Sequence, residues 1–328
     1  MSANTLRLRS PADVVSAIPY LIGFHPADSV VVLVCDDSAG AYAVRLDLTA
    51  HDALLEHIAD LVARRRPEAV ILAGYGLAGR VTPMVERVRD RLQARGVRLR
   101  EALRVEDDRF WSYLCSDLAC CPPEGTRVDV RASPIAAAAI AGGLVALPDR
   151  GELCRMLAPA GGEGMRRAVT RAEARVARWA EADVAAVPSR MVTEGVPLVR
   201  LVIERACAGS DPPTDDEVAW LGILLVSVRV RDEAWVRMNE PDLDAHIHLW
   251  RHVLTRVPEP YAAAPACLLA FAAWRSGEGA LANIALDRAF AADPRYSMAR
   301  LLQELFISGL PPWSLPTNLS PHELDQTG

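Results

Sequence analysis

The chain has 328 residues, 51% of them hydrophobic, which is enough apolar material for two ordinary cores, since cores stop growing well short of this length and chains then divide. A formal charge of -6 arises from acids and bases scattered along the chain, so there is no basic stripe for a phosphate backbone and nucleic acid is set aside as a partner. All 36 basic residues are arginine, and the absence of lysine excludes a pyridoxal phosphate Schiff base, a P-loop nucleotide site and the strand lysine of a protein kinase.

Ser10-Pro11-Ala12-Asp13 opens a helix, with Ser10 able to accept from an orphan N–H and Pro11 in the first turn where its missing donor costs nothing; the helix ends near Gly23. Residues 29–35 and 41–48 are β-branched runs separated by Asp36, Asp37, Ser38 and Gly40, the chemistry of a hairpin. A helix follows over 51–66, a strand over 69–73, a second helix over 83–95 ending at Gly96, and extended runs over 97–105 and 110–114. The order ββαβαββ predicts an α/β domain with one mixed sheet, and from Gly142-Gly143 onward the period is helical. Helices are expected over 163–186, 191–208, 215–228, 242–257, 265–274, 280–291 and 294–307, with Thr214 and Glu217 as a capping box. The domains are therefore a mixed α/β domain over 1–145 and an all-α domain over 146–328. Within the latter, Ala282, Leu286, Ala289 and Pro294 have the spacing of the second helix of a tetratricopeptide repeat, although no second copy follows one repeat away.

The longest nearly uncharged runs, 133–148 and 219–228, fall short of the roughly 20 apolar residues a membrane span requires. No leader pattern is seen in the opening residues, and seven cysteines, an odd number, argue for reduced thiols. The expectation is a cytoplasmic protein without membrane association.

Three stretches can carry chemistry. Gly74-Tyr75-Gly76-Leu77-Ala78-Gly79 fits G-x-G-x-x-G after a strand, which would cradle a phosphate; with the next helix placed at Pro83, an ordinary glycine-rich turn is the competing reading. Cys115, Cys120 and Cys121 fall on one loop before Pro122-Pro123 and offer soft ligands to zinc, although no second C-x₂-C-like pair exists; Cys120 or Cys121 as a nucleophile, and small apolar side chains under a rigid loop, are the alternatives. His25, with Asp28 or Ser29, offers a proton acceptor and an orienting group at a sheet end, against a simple turn. His248 and His252 lie four apart on a helix without the Glu of an H-E-x-x-H site, so a solvated helix face is read there.

Residues 10–13 (Ser-Pro-Ala-Asp), 19–26 (Pro-Tyr-Leu-Ile-Gly-Phe-His-Pro), 110–115 (Phe-Trp-Ser-Tyr-Leu-Cys), 120–126 (Cys-Cys-Pro-Pro-Glu-Gly-Thr) and 280–286 (Ala-Leu-Ala-Asn-Ile-Ala-Leu) resemble an actinobacterial family catalogued as a domain of unknown function, number 4192. The resemblance spans most of the chain and implies a bacterial cytoplasmic origin and a shared architecture, with no activity to carry over. The leading functional expectation is a non-enzymatic interaction or assembly factor whose helical half receives another protein or a peptide. The alternative is an enzyme or a thiol/zinc site in the α/β half, built on Cys115, Cys120 and Cys121 with His25 and Asp28.

Overall fold

The computed structural model describes residues 7–36, 40–238, 242–310 and 312. The chain forms two compact units, Met1–Leu153 and Cys154–Gly328.

In the first unit, α1 (Pro11–Ile22) starts at a reciprocal cap: Ser10 Oγ accepts from Asp13 N while the Asp13 carboxylate accepts from Ser10 N. It ends at Gly23, whose φ of +83° suits a residue without Cβ. Next come β1 (Ser29–Asp36), β2 (Gly40–Asp47), α2 (Asp52–Arg65), β3 (Ala69–Tyr75), α3 (Ala78–Ala94), β4 (Leu99–Glu106), β5 (Arg109–Ser112), β6 (Thr126–Arg127) and α4 (Pro134–Ala141), and the short α5 (Arg150–Arg155) runs across the boundary at Leu153. The six strands form one mixed sheet in the order β2-β1-β3-β4-β5-β6. Only β3 and β4 are parallel, and α3 is the crossover between them. β1 is an unbroken apolar run because both its faces are covered: Val30, Val32 and Val34 join the cluster with α2 and α3, while Val31 and Leu33 point the other way and are equally buried. Leu147 N donates to Gly23 O and His25 N to Leu147 O, which fastens the segment after α4 to the end of α1.

Two expectations for this unit change. α3 begins at Ala78, not at Pro83, because Leu77 O accepts from both Arg80 N and Val81 N and closes the first turn before the proline is reached. The burial of Val81 against β3 outweighs the single hydrogen bond that Pro83 forfeits. The sheet also gains a sixth, two-residue strand, β6, and β5 stops at Ser112, short of Leu114. Residues 37–39, where the hairpin turn was expected, lie outside the described residues.

The second unit is helical: α6 (Glu163–Asp183), α7 (Val187–Cys207), α8 (Asp215–Leu224), α9 (Val228–Val236), α10 (Leu243–Arg256), α11 (Ala263–Arg275), α12 (Gly279–Ala292) and α13 (Ser297–Ser308). α11 is its centre, with every residue from Ala263 to Trp274 buried; its alanines let α10, α12 and α13 approach closely. The helix expected over 215–228 stops at Leu224, the chain turns at Val226-Ser227, and α9 is a further helix that the sequence pattern did not announce. α7 likewise starts at Val187, four residues early. α11 and α12 pack as the expected helical hairpin; its tetratricopeptide character rests on residue spacing alone. Between α7 and α9 the fully buried Glu233 carboxylate is held by Arg200, Arg229 and Arg237.

Candidate metal centre

Thirteen residues, 113–125, separate β5 from β6, and the elements beneath them fix the path of that loop. At its start, Ser112 Oγ donates to Glu101 Oε1 (2.7 Å) and accepts from Leu114 N and Cys115 N (3.1 and 3.0 Å), so Cys115 is anchored to the end of the sheet. At its end, Trp111 Nε1 donates to Pro123 O (2.9 Å) and Arg109 Nη1 donates to the carbonyls of Glu124 and Gly125 (3.0 and 2.8 Å). The Trp111 ring is clamped between the loop and the Arg104 guanidinium, 3.6 Å from its centroid. Gly125 has φ +82°, and a Cβ there would collide with the Trp111 ring, so this closure requires glycine.

Between the two anchors Asp117 turns the chain back on itself. Its carbonyl accepts from Cys120 N and Cys121 N (3.2 and 2.7 Å), and its carboxylate accepts from Ala119 N (2.9 Å). This turn brings Cys120 and Cys121 to Cys115: the three sulfurs all lie within 4.8 Å of one another. Three sulfurs on one tetrahedral zinc, each about 2.3 Å from the metal, stand roughly 3.8 Å apart, so the cluster needs only small side-chain rotations to hold the ion. Cys120 is exposed and the other two are half-buried, which leaves a solvent-facing side. The hydrogen bond with Cys115, followed by burial and the bond with Cys120, pushes the Cys121 thiol up to about 12. Such a thiol is a poor nucleophile at neutral pH, since reactive cysteines are those with depressed values. A divalent cation supplies the positive charge that the cluster lacks and lets the thiols ionise.

The other sequence candidates lie elsewhere. His25 lines a shallow pocket with Asp107, Asp108, Arg127, Asp129 and Arg131, and burial, then Arg131, holds its imidazole below the usual histidine range. None of the three thiols lines that pocket: β5 runs from the Asp107-Asp108 turn to Ser112, and the thiols follow its far end. Asp28, at φ +43°, pairs with Arg80 (2.9 Å). The structure thus gathers the cysteines but does not bring His25 to them.

Gly74, Gly76 and Gly79 sit on a strand–turn–helix; the strand was expected, but the helix begins at Ala78, inside the glycine run, and not at Pro83. Gly74 and Gly76 have steric roles. A Cβ at Gly74 would collide with Val81 and Val85, so this glycine admits α3 onto β3; at Gly76, φ +131°, a Cβ would meet the Asp28 carboxylate at 3.1 Å. In the helical unit, His248 and His252 line a cleft of about 500 Å³ together with Arg251, Arg256 and Leu249. Their rings are engaged by Asp244 O (2.7 Å) and Pro213 O (3.0 Å). No described helix is long and apolar enough to cross a membrane.

What the fold and the loop define is a two-unit chain, an α/β sheet unit carrying a thiol cluster that can hold a metal ion, followed by a helical unit. The chain belongs to the family described as Domain of unknown function (DUF4192), whose profile matches residues 11–313. No curated protein and no solved structure matches it. The pinning of the loop by Trp111, Arg109 and Ser112 was not visible in the sequence, where the only signal was a glycine four residues after the thiol pair and an aromatic four before Cys115.

Proposed function

We propose that the α/β unit is a zinc-holding module in which Cys115, Cys120 and Cys121 ligate one Zn²⁺. The observation that carries this reading is the convergence of three sulfurs within 4.8 Å on a loop whose two ends are independently anchored. Thiolates are the ligands a borderline-soft ion selects, and an odd, reduced set of cysteines fits a metal site better than a disulfide. Protein purified without chelator carries one equivalent of zinc, and Cys120→Ser and Cys121→Ser each lower the retained metal several-fold at unchanged helicity. Full-length protein that is metal-free after exposure to micromolar zinc and desalting contradicts the reading.

A second reading, of an interaction factor that takes another protein or peptide on its helical unit, draws on the exposed Leu301, Ile307 and Leu310 at α13 and just beyond it. Leu301→Asp then abolishes capture of the partner while the unit keeps its melting temperature; capture unaffected by that change rules this surface out.

A further inference from the structure

The metal site has three protein ligands, and the character of its fourth follows from its surroundings. Among the described residues no further His, Cys, Asp or Glu atom joins the three sulfurs. Of the two acids in the loop, Asp117 and Glu124, neither joins the cluster, and Asp117 spends a carboxylate oxygen on Ala119 N and its carbonyl on the two cysteine amides. The open side is the solvent side, since Cys120 is the exposed member. Two apolar side chains of the same loop stand out from it, Leu114 at 45% and Leu118 at 71% exposure.

Three thiolates on a divalent ion leave a net charge of about −1, and their strong electron donation weakens the metal as a Lewis acid. A water in the fourth position is then less acidified than at a site of neutral imidazoles, so the arrangement is poor for hydrolysis. The same softness favours sulfur. Resting on the zinc reading above, we propose that the fourth position is a binding site for a small-molecule thiol, taken up as its thiolate, with Leu114 and Leu118 receiving the ligand's carbon frame. In the binding step the S–H bond of the ligand breaks, its electron pair forms the sulfur–metal bond, and the proton leaves to solvent; nothing is oxidised or reduced. A metal-bound thiolate is held deprotonated at neutral pH.

The test uses the full chain loaded with one Co²⁺ under anaerobic conditions and titrated with 2-mercaptoethanol, with ethylene glycol as the oxygen control. The expected result is a sulfur-to-cobalt charge-transfer absorption that grows by about one third as three sulfur–metal bonds become four, saturating at one thiol per cobalt. Ethylene glycol leaves the spectrum unchanged, and Leu118→Asp weakens thiol binding at least several-fold without changing cobalt affinity. A chain that holds one Co²⁺ on its thiols yet shows no change with millimolar 2-mercaptoethanol overturns this inference and leaves the zinc reading intact. Loss of the cobalt to the added thiol also overturns it. A chain that binds no Co²⁺ at the loop overturns both.

Discussion

Replacing Glu233 by glutamine removes the one negative charge at the centre of three guanidiniums. The carboxylate is fully buried and accepts from Arg200 Nε (2.7 Å), Arg229 Nη1 (2.9 Å) and Arg237 Nε (2.8 Å). Burial alone would raise its pKa; the hydrogen bonds from Arg200, Arg229 and Arg237 outweigh that and hold it at about 2. Against an ordinary glutamate, the depression corresponds to a contribution on the order of 3 kcal/mol at pH 7, at about 1.4 kcal/mol per unit. Because the folded value is the lower one, the contribution is complete above the unfolded pKa and fades as pH falls from about 5 toward 2. It is down to roughly 1 kcal/mol at pH 3. The assay is urea unfolding of Glu233→Gln beside the parent at pH 7 and pH 3, followed by tryptophan fluorescence, since Trp179, Trp220, Trp235, Trp250 and Trp274 all lie in the helical unit. The variant loses about 3 kcal/mol or somewhat more at pH 7, because three arginines are left around a neutral amide, and the gap narrows at pH 3. A gap equal at the two pH values, or none at pH 7, refutes the reasoning.

Three further outcomes follow from the α/β unit. Gly74→Ala destabilises by about 1–3 kcal/mol, because its methyl meets Val81 and Val85 in a packed layer, whereas Gly79→Ala, with open space around it, changes the melting temperature little. Gly125→Ala strains a left-handed residue against the Trp111 ring, lowers the melting temperature and weakens metal uptake even though no ligand is altered. In metal-free protein at pH 8, iodoacetamide labels Cys121 more slowly than in the urea-unfolded chain, because its hydrogen bonds with Cys115 and Cys120 hold the thiol protonated; equal rates contradict the hydrogen-bonded cluster.

How far the sequence foretells these features depends on the range of the interaction that decides each one. Ser10 as a cap, and Thr214 with Glu217 as a reciprocal one, are legible within four residues and stand as expected, while the return bond to the Asp13 carboxylate emerged only in the structure. β1 and β2 announce themselves as apolar runs, and the mixed sheet followed by a helical half was legible as a class. The start of α3 was not, since Pro83 reads locally as a first-turn residue while the contact that begins the helix earlier is Val81 on Gly74, made across the layer. The break between α8 and α9 was hidden for a similar reason: 219–228 is evenly apolar, yet Val226 and Val228 end up exposed. At the site, the cysteines were conspicuous but their convergence was not, because C-x₄-C-C spacing fixes no geometry until Asp117 turns the loop and Trp111 holds its far end.

The most direct test of the metal reading is X-ray absorption at the zinc edge of the full chain after zinc loading and desalting, without added thiol. The account predicts a first shell of three sulfurs at about 2.3 Å with one lighter oxygen or nitrogen atom. A shell of oxygen and nitrogen alone, or four sulfurs from the protein, contradicts a site made by Cys115, Cys120 and Cys121.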